Sequence, residues 1–176
     1  DGSTPLYIAA QNDNLDVVRY LAGEAHADVN KATTDDGSTP LYIAAQNDNL
    51  DVVRYLAGEA HADVNKATTD DGCTPLYIAA QNDNLDVVRY LAGEAHADVN
   101  KATTDDGCTP LYIAAQNDNL DVVRYLAGEA HADVNQARTD DGCTPLYIAA
   151  ENGNLDVVRY LAGEAHADVN QARTDT

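Results

Sequence analysis

A unit of 35 residues recurs five times without a gap, starting at Asp1, Asp36, Asp71, Asp106 and Asp141, and only Thr176 falls outside the count. Self-similarity at a fixed period of this length stacks one small supersecondary unit on its copies, so function spreads along an elongated surface instead of gathering in one closed site. The chain therefore reads as one quasi-one-dimensional domain over residues 1–176, divided into repeats 1–35, 36–70, 71–105, 106–140 and 141–175. Five columns vary: Ser3 and Ser38 give way to Cys73, Cys108 and Cys143, Gln11 to Glu151, Asp13 to Gly153, Lys31 to Gln136 and Gln171, and Thr33 to Arg138 and Arg173. A site fitted to one irregular partner needs different residues in different repeats, and these columns offer little variety. Uniformity of this degree fits either recent tandem duplication or human design, and the in-register start without Met suggests an excised piece of an array.

Within one unit, Thr4-Pro5 opens a helix by two complementary devices. The Thr hydroxyl at the N-cap accepts an orphan backbone N–H, and Pro at the first helical position gives up no bond it would have made. Leu6, Ala9 and Ala10 then share one apolar face. The polar run Gln11-Asn12-Asp13-Asn14 ends that helix, with Asp13 the residue expected at positive φ and Gly153 the better residue for the same place. Asn14 is expected to cap a second helix, Asp16 suits its first turn, and Val17, Val18, Leu21, Ala22 and Ala25 form its apolar stripe. Helices of about ten residues are marginal alone in water, so each unit needs a neighbour. The stretch from Lys31 to Gly37 is polar and ends in Asp-Gly, a turn signal.

Charge narrows the partners. Each repeat carries six acids against two bases, and the whole chain has a formal net charge of −20. An anionic rod is repelled by phosphate backbones and by anionic lipid, which excludes nucleic acid and membrane surfaces as expected partners and favours a basic protein segment. The three cysteines share one column, and helices of neighbouring repeats packed about 8–10 Å apart leave them beyond the roughly 7 Å that a disulfide spans. They read as free thiols, which points to a reducing, cytoplasmic setting.

The residues that could carry chemistry are better explained by structure. His26, His61, His96, His131 and His166 sit at helix ends, with no second ligand at zinc spacing. Asn12-Asp13-Asn14-Leu15-Asp16 is oxygen-rich but lacks the full calcium loop and its distal Glu. No Cys is paired with a positioned base, and no phosphate-cradling glycine loop occurs. We therefore expect no catalytic residue, no metal and no cofactor.

Thr4-Pro5-Leu6-Tyr7-Ile8-Ala9-Ala10 resembles the Thr-Pro-Leu-His-x-Ala signature of the ankyrin repeat. Asn14-Leu15-Asp16-Val17-Val18 resembles the opening of that family's second helix, and Ala27-Asp28-Val29-Asn30 its closing segment. The resemblance covers all five units and implies an all-α, ankyrin-type solenoid of five stacked helix-turn-helix repeats joined by hairpin loops. It also implies a non-enzymatic protein-binding scaffold. The concave surface that usually carries binding maps onto Asp35, Asp36, Ser38, Gln46 and Asn47; Asp70, Asp71, Cys73, Gln81 and Asn82; Asp105, Asp106, Cys108, Gln116 and Asn117; and Asp140, Asp141, Cys143, Glu151 and Asn152. A self-assembling rod without a dedicated partner is the alternative.

Three departures matter. Tyr7 and its copies stand where the family has His, and offer one hydroxyl in place of two ring nitrogens. The unit is two residues longer than the usual length of about 33. One extra residue falls at the end of the second helix, which puts His26 at the capping position and Gly23 inside the helix; the other falls between Asn30 and the turn. No capping repeat is visible at either end, so apolar terminal faces and end-to-end association are expected.

Overall fold

The computed structural model describes residues 2–174; Asp1, Asp175 and Thr176 lie outside it. Each unit contributes two short helices: α1 (Pro5–Gln11) and α2 (Leu15–Arg19), α3 (Pro40–Gln46) and α4 (Leu50–Arg54), α5 (Pro75–Gln81) and α6 (Leu85–Arg89), α7 (Pro110–Gln116) and α8 (Leu120–Arg124), α9 (Pro145–Asn152) and α10 (Leu155–Arg159). The first helices of successive units stack in one layer and the second helices in another. No strand occurs among the described residues. The core runs along the stack, with Leu41, Ala44, Ala45, Val52, Val53 and Leu56 and their copies in the next two repeats essentially inaccessible to solvent.

Local chemistry explains where each element starts and stops. Thr4, Thr39, Thr74, Thr109 and Thr144 all cap the first helices, each hydroxyl accepting the N–H of the Tyr three residues on at 3.1 Å. Asp13, Asp48, Asp83 and Asp118 take φ of 57–61°, the left-handed break anticipated from the polar run, and Gly153 takes 75°.

The Asn column departs from expectation. Asn14 and its copies precede the second helices but make no side-chain cap. From repeat two onward the amide instead reaches into the preceding unit: Asn49, Asn84, Asn119 and Asn154 donate to the carbonyls of Ala10, Ala45, Ala80 and Ala115 at 2.8–2.9 Å. Those carbonyls belong to a helix's last turn and have no intrahelical donor, so the neighbouring amide satisfies them.

Each second helix continues into one π turn, Tyr20–Glu24 in the first unit and Tyr55–Glu59, Tyr90–Glu94, Tyr125–Glu129 and Tyr160–Glu164 in the others. The five-residue hydrogen-bond spacing, as from Ala25 N–H to the Tyr20 carbonyl at 2.9 Å, absorbs one additional residue per turn. This is where the lengthened repeat accommodates its insertion. His26 and its copies then sit at φ of 56–57°, the left-handed position that usually takes glycine, and Ala27 N–H closes the helix on the Leu21 carbonyl at 2.8 Å.

Candidate functional site

The loops between units form one continuous edge. In each hairpin the residue at the Thr33 column donates its N–H to the carbonyl at the Ser38 column: Thr33 to Ser38, Thr68 to Cys73, Thr103 to Cys108 and Arg138 to Cys143, at 2.9–3.0 Å. Neighbouring hairpins are tied by Thr69, Thr104, Thr139 and Thr174, whose N–H groups reach the carbonyls of Asp36, Asp71, Asp106 and Asp141 at 2.8–3.1 Å. Gly37 has φ of 76°, and a Cβ there would lie 2.7 Å from the Thr69 nitrogen, so the Asp-Gly turn admits nothing larger.

The two Asp of each pair do different work. Asp36 is spent on the turn: it accepts from the Thr33 hydroxyl at 2.6 Å, from Ser38 N–H at 3.0 Å and from the Ser38 hydroxyl at 2.7 Å. The Thr33 bond first, then those from Ser38, hold its carboxyl below the usual range against partial burial. Asp106 is lowered too; burial opposes its ionisation, but hydrogen bonds from Thr103 and Cys108 prevail. At Asp141 the Cys143 N–H is the main cause of a lowered value. Asp35, Asp70, Asp105 and Asp140, the first of each pair, are all exposed, as are Asp36 and Asp71, whereas Asp106 and Asp141 are half-buried.

Other expected contact residues divide sharply. Ser38, Cys73, Cys108 and Cys143 are buried behind the turns, out of reach of a partner. Burial together with the Asp71 charge pushes the Cys73 thiol up to about 12, and burial with the hydrogen bond to Asp141 pushes Cys143 up to about 11, so these free thiols are unreactive at neutral pH. Asn47, Asn82, Asn117 and Asn152 are exposed but hold the preceding unit, donating to the carbonyls of Gln11, Gln46, Gln81 and Gln116 at 3.0 Å. Gln46, Gln81 and Gln116 are half-buried, and Glu151 is exposed.

Two arginines outside the expected contact set, Arg138 and Arg173, reshape the edge. Arg138 stacks over the Tyr112 ring, 5.5 Å from its centroid, and pairs with Asp140, with Asp106 at 3.3 Å and with Asp141 at 3.8 Å. Arg173 lies 3.7 Å from Asp141. The variable column that replaces Thr33, Thr68 and Thr103 with these arginines was the available signal. Its consequence is that the acidic edge is partly neutralised toward repeat five and stays anionic toward repeat one. There Ser3, Tyr7, Ile8, Gln11, Thr33, Asp35, Asp36 and Asp70 line an open cavity of about 380 Å³ that brings an aromatic and an aliphatic side chain together with three carboxylates.

Among the described residues, no group of three or more His, Cys, Asp or Glu is arranged to hold a metal ion. No described helix is long and apolar enough to cross a membrane. A family model described as ankyrin repeats in three copies matches the chain in four overlapping stretches, residues 1–68, 25–103, 60–138 and 95–173. A search of curated proteins gave no match.

Proposed function

Because the chain belongs to the ankyrin-repeat family, whose repeats are generally protein–protein interaction modules, we propose that it is a non-enzymatic scaffold that binds a basic, extended protein segment along its hairpin edge. The observation that carries this reading is the row formed by Asp35, Asp70 and Asp105, exposed at one-repeat intervals, the first two of which line a cavity together with Tyr7 and Ile8. Like charges repeated along an edge raise the local potential more than scattered ones, and several weak contacts on one ligand add through multivalency. The favoured end is repeat one, since Arg138 and Arg173 already answer the acids of the last two hairpins. Buried free thiols suit a reducing compartment, and we assign the protein to the cytoplasm on that ground.

The test replaces Asp35, Asp70 and Asp105 together by Asn and titrates a Lys/Arg-rich peptide at two salt concentrations. Three exposed pairs at about 0.5 kcal/mol each weaken binding about tenfold at low salt. The second Asp of each pair is left intact, because it holds the turn. Equal affinity for both proteins, or affinity indifferent to salt, overturns the proposal.

A further inference from the structure

One column of the repeat gives two answers to the same surroundings. Thr68 and Thr103 stand where repeat four has Arg138, while the Tyr and the three Asp around that column are the same in repeats two, three and four. Each of these three repeats has a neighbour on both sides, so the difference between them arises from the column itself.

In repeat four the guanidinium of Arg138 fills a notch between two hairpins. It stacks 5.5 Å from the centroid of the Tyr112 ring, donates from Nη1 to the Tyr112 hydroxyl at 3.4 Å, and meets the carboxylates of Asp106, Asp140 and Asp141. A planar cation suits a ring floor with carboxylates on more than one side, because it stacks and forks at once.

In repeats two and three the short Thr leaves the same groups without a cation. The notch at Tyr77 has Asp71, Asp105 and Asp106 in the places of Asp106, Asp140 and Asp141, and the notch at Tyr42 has Asp36, Asp70 and Asp71. Thr103 and Thr68 each reach one carboxylate, Asp106 at 2.6 Å and Asp71 at 2.8 Å. Tyr77 keeps 8% exposure where Tyr112 has 1%, so the opening that Arg138 closes stays open at Tyr77. The hydroxyls of Tyr42 and Tyr77 have no hydrogen-bond partner among the described residues, whereas that of Tyr112 has Arg138. A phenol on a side chain more than nine-tenths buried calls for such a partner. Burial first, then neighbouring thiol and carboxylate charges, push both phenols up; the carboxylates are Asp106 and Asp71 at Tyr77, and Asp71 and Asp36 at Tyr42. Two hairpins thus bear on each ring with negative charge.

We infer that the partner segment reads the hairpin edge with arginine, one guanidinium seated over Tyr42 and one over Tyr77 as Arg138 is seated over Tyr112. This rests on the basic-segment reading above and narrows that partner to one cation and one spacing. Lysine does not take arginine's place, since a compact ammonium neither lays a plane on a ring nor forks between two carboxylates. Spacing follows from the repeat. Helices of neighbouring units pack about 8–10 Å apart, and a polyproline-II chain advances about 3.1 Å per residue with about three residues per turn. Side chains three apart therefore fall on one face and span one repeat. The segment is Arg-x-x-Arg in that extended form, and Arg138 ends the row by filling its own notch.

The test titrates the intact chain with a blocked Arg-Pro-Pro-Arg peptide, its Lys-Pro-Pro-Lys counterpart and an Arg-Pro-Arg peptide of shorter spacing, with affinity read by NMR. Arg-Pro-Pro-Arg binds about tenfold tighter than the lysine peptide, a few-fold for each of two ring contacts, and tighter than Arg-Pro-Arg. Thr68→Arg with Thr103→Arg copies repeat four into both notches, and Arg138 shows that the fold takes arginine in this column. The double variant brings the arginine-to-lysine preference to unity. Reading that ratio removes the effect of the two added charges, which weaken both peptides alike. Arg138→Thr opens a third notch, and a peptide with three arginines at the same spacing gains several-fold over its lysine counterpart relative to wild type. Equal affinity for arginine and lysine peptides, with salt dependence kept, overturns the inference and leaves the basic-segment reading in place. Indifference to spacing, or a preference for arginine that survives in the double variant, overturns it as well. Peptides that fail to bind at all overturn both readings.

Discussion

Repeats one and two are the same 35 residues in two settings, one with a neighbour on a single side and one with neighbours on both. Ile8 is 42% exposed and Ile43 6%; Val17 is 48% exposed and Val52 0%. Since sequence is constant between them, the whole difference belongs to the neighbour. It teaches that burial in this molecule is made at the boundaries between repeats, which is the physical content of calling it a solenoid. Substituting equivalent positions in the two settings separates what a residue contributes by itself from what it contributes through the boundary.

The largest effect is expected for Ile43→Ala against Ile8→Ala. Removing a buried Ile side chain costs about 2–5 kcal/mol, and removing one already half in water costs less than about 1 kcal/mol. Denaturant melts of the two variants measure the gap, and similar losses would mean that the boundary does not bury what it is seen to bury.

Next in size is the amide that bridges repeats. Asn84 donates to the carbonyls of Ala45 at 2.8 Å and Gln46 at 3.1 Å. Asn84→Ala leaves carbonyls of α3 without that donor and is expected to destabilise by about 1–3 kcal/mol. Asn14→Ala, with no preceding repeat to reach, stays within about 0.5 kcal/mol.

That second pair also shows what was legible in the sequence. Thr4 as a cap and Asp13 as a left-handed break were readable because each is a contest between a residue and its own backbone, while His26 in the place of a capping glycine followed from the resemblance to the ankyrin repeat. The Asn14 column looks like a cap of its own helix for the same local reason, and that expectation fails because from repeat two onward the amide's partner lies 39 residues back along the chain, as from Asn154 to Ala115. The π turn was half legible: counting located the extra residue at the end of the second helix, but only hydrogen bonding shows how a helix swallows it. At the hairpin edge, Asp35 and Asp36 looked equivalent. Three hydrogen bonds to Asp36 separate them, and Ser38 and the Cys column drop behind the turn for the same reason.

A smaller effect, present in one setting and cancelled in the other, is expected in the glycine column of the π turn. Gly163→Ala adds its methyl in open space and is expected to stabilise by about 0.5–1 kcal/mol, as removal of a helical glycine does. Gly93→Ala pushes on the Tyr125 hydroxyl, which bonds the Arg89 carbonyl at 3.3 Å. Displacing that bond costs about 1 kcal/mol and cancels the gain. Thermal melts that rise equally for both variants would show that the Tyr hydroxyl gives way freely.

The smallest effect is electrostatic and depends on pH with a sign that differs between columns. Asp36, Asp106 and Asp141 have carboxyls lowered by the folded state, so the stability they contribute is full above the unfolded value of about 4 and is lost as pH falls through their lower folded values. Asp48 and Asp83 are raised, so their ionised forms oppose folding at neutral pH, and that opposition is relieved as pH falls through their folded values. Acid therefore acts twice on the interior, first a slight gain above about pH 4 and then a loss below it, while repeat five, with Gly153 in the raised column, takes no part in the gain. Asp83→Gly copies the last repeat into the interior: it removes the like charge facing Asp121 and fits the left-handed break, at φ of 60°, better than Asp does. We expect it to raise stability by a few tenths of a kcal/mol at neutral pH, with the advantage shrinking as the wild-type carboxyl protonates. An advantage that stays constant from neutral to acid would assign the gain to backbone conformation alone and remove the charge across the boundary from the account.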